Sequence, residues 1–180
     1  MKDCGCIFTI FGATGDLANR KLLPALYFLV QEKQLKDNFR IICIARKEKT
    51  NEQYKERASN SIKKFSRIKV QDEILKKLLS RITYLRMDFA NLPDYELLKS
   101  LIESASFEKC MKCERIFYLA VPSALIGGIV DNLKSVGLAE RQTDGGPYSR
   151  IMFEKPFGYD LKSAKELNNA IMKVFDEKQV

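Results

Sequence analysis

Ile7-Phe8-Thr9-Ile10-Phe11-Gly12-Ala13-Thr14-Gly15-Asp16-Leu17-Ala18 is the stretch on which the fold of this chain turns. Its first five residues are apolar, aromatic or β-branched, which suits a strand buried in a parallel sheet. Beyond Ala18, residues Leu22, Leu23, Leu26, Leu29 and Val30 recur at helical spacing. A strand that enters a helix through Gly-x-x-Gly-x-x-Ala makes a phosphate-binding arrangement. Gly12 permits the sharp turn, Gly15 leaves no side chain where a pyrophosphate must approach the backbone, and Ala18 lets helix and strand pack closely. The helix start adds unpaired N–H groups and the positive end of its dipole. The glycines stand at i and i+3, with Ala13 inside the turn, so the spacing departs from G-x-G-x-x-G. Taken alone, an ordinary strand-to-helix turn would carry the same letters.

The next strand bears on the ligand. Phe39-Arg40-Ile41-Ile42-Cys43-Ile44-Ala45 is apolar enough to be buried, and it ends at Arg46-Lys47. In dinucleotide folds an acidic residue near this point holds the adenosine 2′-hydroxyl, whereas a basic one accommodates a 2′-phosphate. A planar guanidinium pairs with phosphate, and a carboxylate would repel it. Arg46 therefore favours NADP over NAD.

Residues 51–66 and 71–80 are charged helical segments, and 81–88 form a third strand. Pro93 opens a helix through Glu103, since proline is tolerated in a first turn. Residues 114–122 form a fourth strand, stopped by Pro122; Ser123 is placed to cap a helix to about Val136, and Gly137 ends it. Asp144-Gly145-Gly146-Pro147 is a turn-rich loop. A fifth strand covers 150–154, and Asp160 caps a last helix reaching about Lys178. Such alternation implies right-handed crossovers and a doubly wound, Rossmann-like parallel sheet. The expected strand order is 3-2-1-4-5, with the ligand crevice outside the carboxyl ends of strands one and four.

One domain spanning residues 1–180 accommodates this length. Hydrophobic content of 46% suffices for a core. No apolar run is long enough to cross a membrane, and Met1 leads into the first strand without a signal peptide. Five cysteines without a secretory signal point to a reducing compartment, and a cytoplasmic location is expected. The net charge of +8 is scattered, without aromatic-interleaved patches, so phosphorylated small molecules explain it better than nucleic acid.

Three stretches together resemble one family. Gly12-Ala13-Thr14-Gly15-Asp16-Leu17-Ala18 is similar to the coenzyme-binding signature of the glucose-6-phosphate dehydrogenases. Phe117-Tyr118-Leu119-Ala120-Val121-Pro122 resembles their fourth-strand motif, and Arg150-Ile151-Met152-Phe153-Glu154-Lys155-Pro156-Phe157-Gly158 resembles their Glu-Lys-Pro-Phe-Gly segment. The resemblance implies that Gly12, Ala13, Thr14, Gly15, Asp16, Leu17, Ala18 and Asn19 cradle the pyrophosphate and adenosine ribose of NADP. Arg46 would pair with the 2′-phosphate, and Ala120 and Pro122 would line the nicotinamide side. Lys155 would contact both coenzyme and glucose 6-phosphate, with Pro156 fixing the backbone. Ser123 and Ile126 depart from the proline and tyrosine often found in that family.

The same resemblance implies a histidine base that takes the C1 hydroxyl proton while hydride leaves for NADP. This chain contains no histidine. The expectation is thus a coenzyme-binding domain whose catalytic and substrate domain lies outside the chain, binding NADP without turnover. Such a piece is expected to be monomeric, and the full-length parent a homo-oligomer. A stand-alone NADP-binding sensor or interaction module is the alternative. A short-chain reductase or epimerase would need a Tyr-x-x-x-Lys pair beside a serine, and is disfavoured here for want of one. Cys4, Cys6, Cys110 and Cys113 would share one sheet edge, where four thiolates could hold zinc; free thiols are the plainer expectation. Cys43 is expected in the core.

Overall fold

Strand and helix alternate as the apolar spacing predicts, and the computed structural model describes residues 5–35, 37–105, 114–141, 148–156 and 158–180. β1 (Cys6–Phe11) leads through the glycine turn into a π-helical turn (Ala18–Leu22) and then α1 (Leu23–Gln31). β2 (Phe39–Ala45) precedes α2 (Asn51–Phe65) and α3 (Asp72–Ser80), and β3 (Ile82–Arg86) precedes α4 (Leu92–Ala105). β4 (Glu114–Leu119) leads to α5 (Ser123–Ser135), and β5 (Ser149–Phe153) to α6 (Leu161–Met172) and a 3-10 turn (Glu177–Gln179). The five strands form one sheet in the order β3-β2-β1-β4-β5, every pair parallel. β1 is central: Ile10 pairs with Cys43 on one side and Tyr118 on the other. Chain order reverses between β1 and β4, and there the two connections leave toward opposite faces and open a crevice.

The pleat divides the apolar residues between two layers. Ile7 and Phe11 of β1 join Ile42 and Ile44 of β2 beneath α4, α5 and α6, where Leu98, Ile129 and Ile171 meet them. Ile10 joins Ile41 and Cys43 on the other face beneath α1, α2 and α3, against Leu26, Ile62 and Leu78. Burial on both faces explains why these strands are nearly continuous apolar runs.

Several element ends differ from the sequence expectation, each for a local reason. Pro122, not Ser123, is the residue that caps α5, and it makes no side-chain cap bond; Ser123 is already helical. The strand before it stops at Leu119, not Pro122, because its neighbours β1 and β5 end opposite it at Phe11 and Phe153; Ala120 still donates to the Phe11 carbonyl at 2.9 Å. Asp160 does cap α6, accepting from the Ser163 amide at 2.7 Å, but the helix ends at Met172 rather than near Lys178. Its continuation turns at Val174 and Phe175, both buried, before the 3-10 turn. Gly137 ends α5 as expected, at φ +72°. The 144–147 turn lies outside the described residues.

Candidate functional site

The glycine turn closes by its own backbone. Gly12 and Ala13 donate their amides to the Ile44 carbonyl at 3.0 and 2.9 Å, and Gly15 donates to the Gly12 carbonyl at 2.9 Å. Gly12 has φ +82°, and a Cβ there would strike the Ala120 carbonyl oxygen, with Ala120 C at 3.0 Å and Val121 Cγ1 at 3.1 Å. Only glycine lets β1 and the end of β4 approach this closely. Helical backbone begins at Asp16, so Asp16, Leu17 and Ala18 supply first-turn amides that lack intrahelical acceptors. The turn then widens into the π-helical stretch, where Leu23 donates to Ala18, five residues back. Pro24 accounts for this. It has no N–H for the Arg20 carbonyl and its ring crowds that oxygen, so regular α geometry cannot run through the segment.

The turn's carbonyls are held from behind by α2. Tyr54 donates its hydroxyl to the Ala13 carbonyl at 3.0 Å, and Arg57 Nη2 donates to the Thr14 carbonyl at 3.1 Å. Asn19 Nδ2 donates to the Thr14 carbonyl at 3.2 Å and to the Gly15 carbonyl. Asn19 Oδ1 in turn accepts from Arg57 Nε at 3.2 Å and Ser61 Oγ at 3.1 Å. Tyr54 stacks on Tyr84 with centroids 4.7 Å apart and planes 19° apart, a pairing worth about 0.5–1.5 kcal/mol beyond area. Tyr84 donates its hydroxyl to the Lys47 carbonyl, so the same aromatic pair also fixes the chain just past β2. Burial pushes the Tyr54 and Tyr84 hydroxyls upward in pKa, so both stay protonated donors. The Cys43 thiol beneath them is pushed up to about 12 by burial, and it is an inert core group, as expected of a mid-strand cysteine.

A cavity of about 200 Å³ opens outside the carboxyl ends of β1, β2 and β4, lined among others by Gly12, Thr14, Arg46, Lys47, Ala120 and Pro122. Gly15, Ala45, Phe89, Val121 and Leu125 complete it. Arg46 and Lys47 are both exposed at its rim, so a phosphate at the β2 end would meet two solvated cations, while Phe89, Val121 and Leu125 give an apolar wall for a flat ring.

The residues expected from sequence thus divide. Gly12, Thr14, Gly15, Arg46, Ala120 and Pro122 converge on the cavity. Ala13 and Ala18 are fully buried and Asn19 is 7% exposed; their side chains face protein. Asp16 does not cap the helix: its carboxylate is exposed and lies 3.8 Å from Arg20. Asp16 and Asn19 border instead an outer groove of about 640 Å³ against α2. Leu17 is half-buried at the helix start. Lys155 is exposed after β5, outside the cavity lining, and the Lys155–Pro156 bond is cis. Beside it, Glu154 accepts the Tyr118 hydroxyl, whose own pKa is raised by burial and then by that carboxylate.

Tyr54, Arg57 and Ser61 escaped the sequence reading because α2 looked like a solvated charged helix. The available signal was Tyr54, Ala58 and Ile62 at i, i+4 and i+8, a buried stripe that places Arg57 and Ser61 along its edge. Tyr95-Glu96-Leu97-Leu98-Lys99 does have the Tyr-x-x-x-Lys spacing. The Tyr95 hydroxyl, however, is buried on α4 and donates to the Phe89 carbonyl at 2.9 Å, with burial pushing its pKa up to about 12. It is a core anchor rather than a proton-transfer group. Of the four cysteines considered for zinc, Cys4, Cys110 and Cys113 lie outside the described residues. Among the described residues, no group of three or more His, Cys, Asp or Glu side chains could hold a metal, and no helix is long and apolar enough to cross a membrane.

Comparison with known proteins follows the same lines. Residues 9–180 match the family described as glucose-6-phosphate dehydrogenase, NAD binding domain. The chain is 39% identical over 176 residues to glucose-6-phosphate 1-dehydrogenase of Chlamydia pneumoniae, covering 97% of this chain and 34% of that protein. It is 36% identical over 174 residues to the Leuconostoc mesenteroides enzyme of that name, covering 97% and 34%. A crystal structure of the Mycobacterium avium glucose-6-phosphate 1-dehydrogenase superposes with a TM-score of 0.82 at 32% identity, over 98% of this chain and 35% of that one. A glucose-6-phosphate dehydrogenase in complex with its substrate glucose 6-phosphate gives a TM-score of 0.85 at 33% identity, over 98% and 36%. The chain spans about a third of the length of the relatives it matches.

Proposed function

This chain belongs to the glucose-6-phosphate dehydrogenase family, through that family's NAD-binding domain, and from that membership we propose that it binds NADP at the carboxyl ends of β1, β2 and β4. One observation carries the proposal: the cavity where the glycine turn, Arg46 and Lys47, and the Ala120–Pro122 segment meet. The first-turn amides of Asp16, Leu17 and Ala18 would receive the pyrophosphate, drawn by the helix dipole. Arg46 would take the 2′-phosphate in a forked pair, with Lys47 adding charge. Ala120 and Pro122 would border the nicotinamide. Lys155, exposed past β5, would orient glucose 6-phosphate and touch the coenzyme.

The bound dinucleotide supplies the hydride acceptor. The protein residues present hold and orient it, and a base must take the C1 hydroxyl proton as the sugar phosphate becomes 6-phosphogluconolactone in the pentose phosphate pathway. The 180 residues hold no histidine. We therefore assign the oxidation to the parent dehydrogenase in the cytoplasm, a homo-oligomer, and coenzyme binding alone to this chain, as a monomer without nucleic-acid or membrane partners.

Calorimetric titration of the chain with NADP and, separately, with NAD tests this. Tighter binding of NADP is expected, and no increase in 340 nm absorbance when glucose 6-phosphate is added. Binding of neither coenzyme would overturn the assignment; reduction of NADP by the chain alone would overturn the division of labour.

A further inference from the structure

Asn19 is the best-connected polar side chain beside the phosphate turn, and its bonding leaves it nothing with which to touch a ligand. A carboxamide offers two N–H donors and two acceptor positions. Nδ2 spends its donors on the Thr14 and Gly15 carbonyls, and Oδ1 receives Arg57 Nε and Ser61 Oγ. Flipping the amide would turn its NH₂ onto the Arg57 N–H and its oxygen onto two carbonyls, so the network fixes the orientation. Arg57 Nη2 adds a second bond to the Thr14 carbonyl at 3.1 Å, and Tyr54 holds the Ala13 carbonyl.

These bonds matter because a trans peptide points its N–H opposite its carbonyl. With the Ala13 carbonyl drawn toward α2 by Tyr54 and the Gly15 carbonyl held by Asn19, which Arg57 and Ser61 fix in turn, the amides of Thr14 and Asp16 are turned the other way, and Thr14 and Gly15 line the cavity. We infer that Asn19, Arg57 and Ser61 form a positioning cluster that presents the turn's amides to the coenzyme pyrophosphate, without any of the three contacting the coenzyme. The inference rests on the coenzyme reading above, and it moves Asn19 from the ligand's contacts to the turn's support. Arg57 acts by geometry: its planar fork meets Asn19 Oδ1 and the Thr14 carbonyl at once, which an ammonium on a flexible stem cannot reproduce.

The test compares two probes on the 180-residue chain, NADP and adenosine 2′-monophosphate, which carries the 2′-phosphate but no pyrophosphate. Asn19→Ala and Arg57→Ala should each weaken NADP about tenfold or more, and change adenosine 2′-monophosphate binding less than about twofold. Arg57→Lys should lose as much as Arg57→Ala. Ser61→Ala, which removes one donor from the periphery of the cluster, should show the same selectivity at about threefold, and it decides the question if Asn19→Ala does not fold. Equal loss of both probes would mean that Asn19 contacts the adenosine ribose, and would overturn the inference. Rescue by Arg57→Lys would mean that charge, not geometry, is what Arg57 contributes, and would overturn its place in the cluster. Unchanged NADP binding in all variants would overturn the inference and leave the coenzyme reading intact. A parent chain that binds no NADP would overturn both.

Discussion

On the β1–β2 side of the crevice, carbonyl after carbonyl is held from behind: Ala13 by Tyr54, Thr14 by Arg57 and Asn19, and Lys47 by Tyr84. On the β5 side, Lys155 stands exposed beside the Tyr118–Glu154 bond. The turn's backbone on the first side is fixed before any ligand arrives, so its amides bind at little ordering cost, whereas the exposed side chains on either side, Arg46 as well as Lys155, must lose freedom to make their contacts. The preset geometry therefore lies in the turn and in the chain just past β2, not in the segment after β5.

The preset turn depends most on Gly12. Gly12→Ala forces a side chain against the Ala120 carbonyl at a φ of +82°. The turn must shift away from β4, and the amides behind it shift as well. Loss of NADP affinity of about a hundredfold or more is expected, with destabilisation of about 1–3 kcal/mol. Titration calorimetry reads the first, and urea unfolding the second. An affinity within about threefold of the parent chain would mean that the preset turn is not what binds the coenzyme.

Arg46→Ala is the next largest. A charge-assisted bond to the 2′-phosphate is worth about 1.5–3 kcal/mol, so NADP should weaken by about ten- to a hundredfold. NAD lacks that phosphate, and its affinity should stay within about twofold. Parallel loss of both coenzymes would place Arg46 against some other part of the dinucleotide.

Tyr54→Phe probes the support behind the turn without altering the cavity lining. It removes the hydroxyl and leaves the Ala13 carbonyl buried without its 3.0 Å donor, at a cost of about 1–3 kcal/mol in stability. The stack on Tyr84 is kept. NADP affinity should fall about threefold to tenfold through the loosened Thr14 amide, and thermal unfolding should fall with it. Unchanged stability would show that the hydroxyl does not carry the turn.

The sheet was legible because its information is local. Apolar runs bounded by glycine, proline and charge mark each strand, and alternation with helices leaves one common topology. The glycine turn and Arg46 could be placed from sequence because each sits at a fixed point in that topology, and the structure brings Gly12, Thr14, Gly15 and Arg46 to one cavity. Arg57, Ser61 and Tyr54 could not be placed so. They reach the turn from 41 to 43 positions away in sequence, and nothing in a charged helix announces which of its polar residues faces inward. Asn19 is the converse case: a polar residue next to a phosphate turn reads as a ligand contact from sequence, and only the structure shows that its amide is bonded at both ends within the protein. The Ser123 cap failed for a simpler reason: Pro122 already occupied that position with φ −55° and ψ 144°.

Lys155→Ala tests the weaker side. Its ammonium is exposed, and a solvated lysine contributes at most one screened contact to a coenzyme phosphate or amide. NADP affinity of the chain should therefore fall by only about twofold to threefold, and more at low salt than at high. A loss approaching that of Arg46→Ala would reverse the comparison, because Lys155 would then have to be drawn into the crevice and desolvated when NADP binds. That would relocate part of the binding free energy to the β5 side, and it would predict a closing movement of the segment after Phe153 that Tyr118→Phe, by freeing Glu154, should also disturb. A small loss leaves the proposed contact to the sugar phosphate as the role open to an unconstrained ammonium past β5.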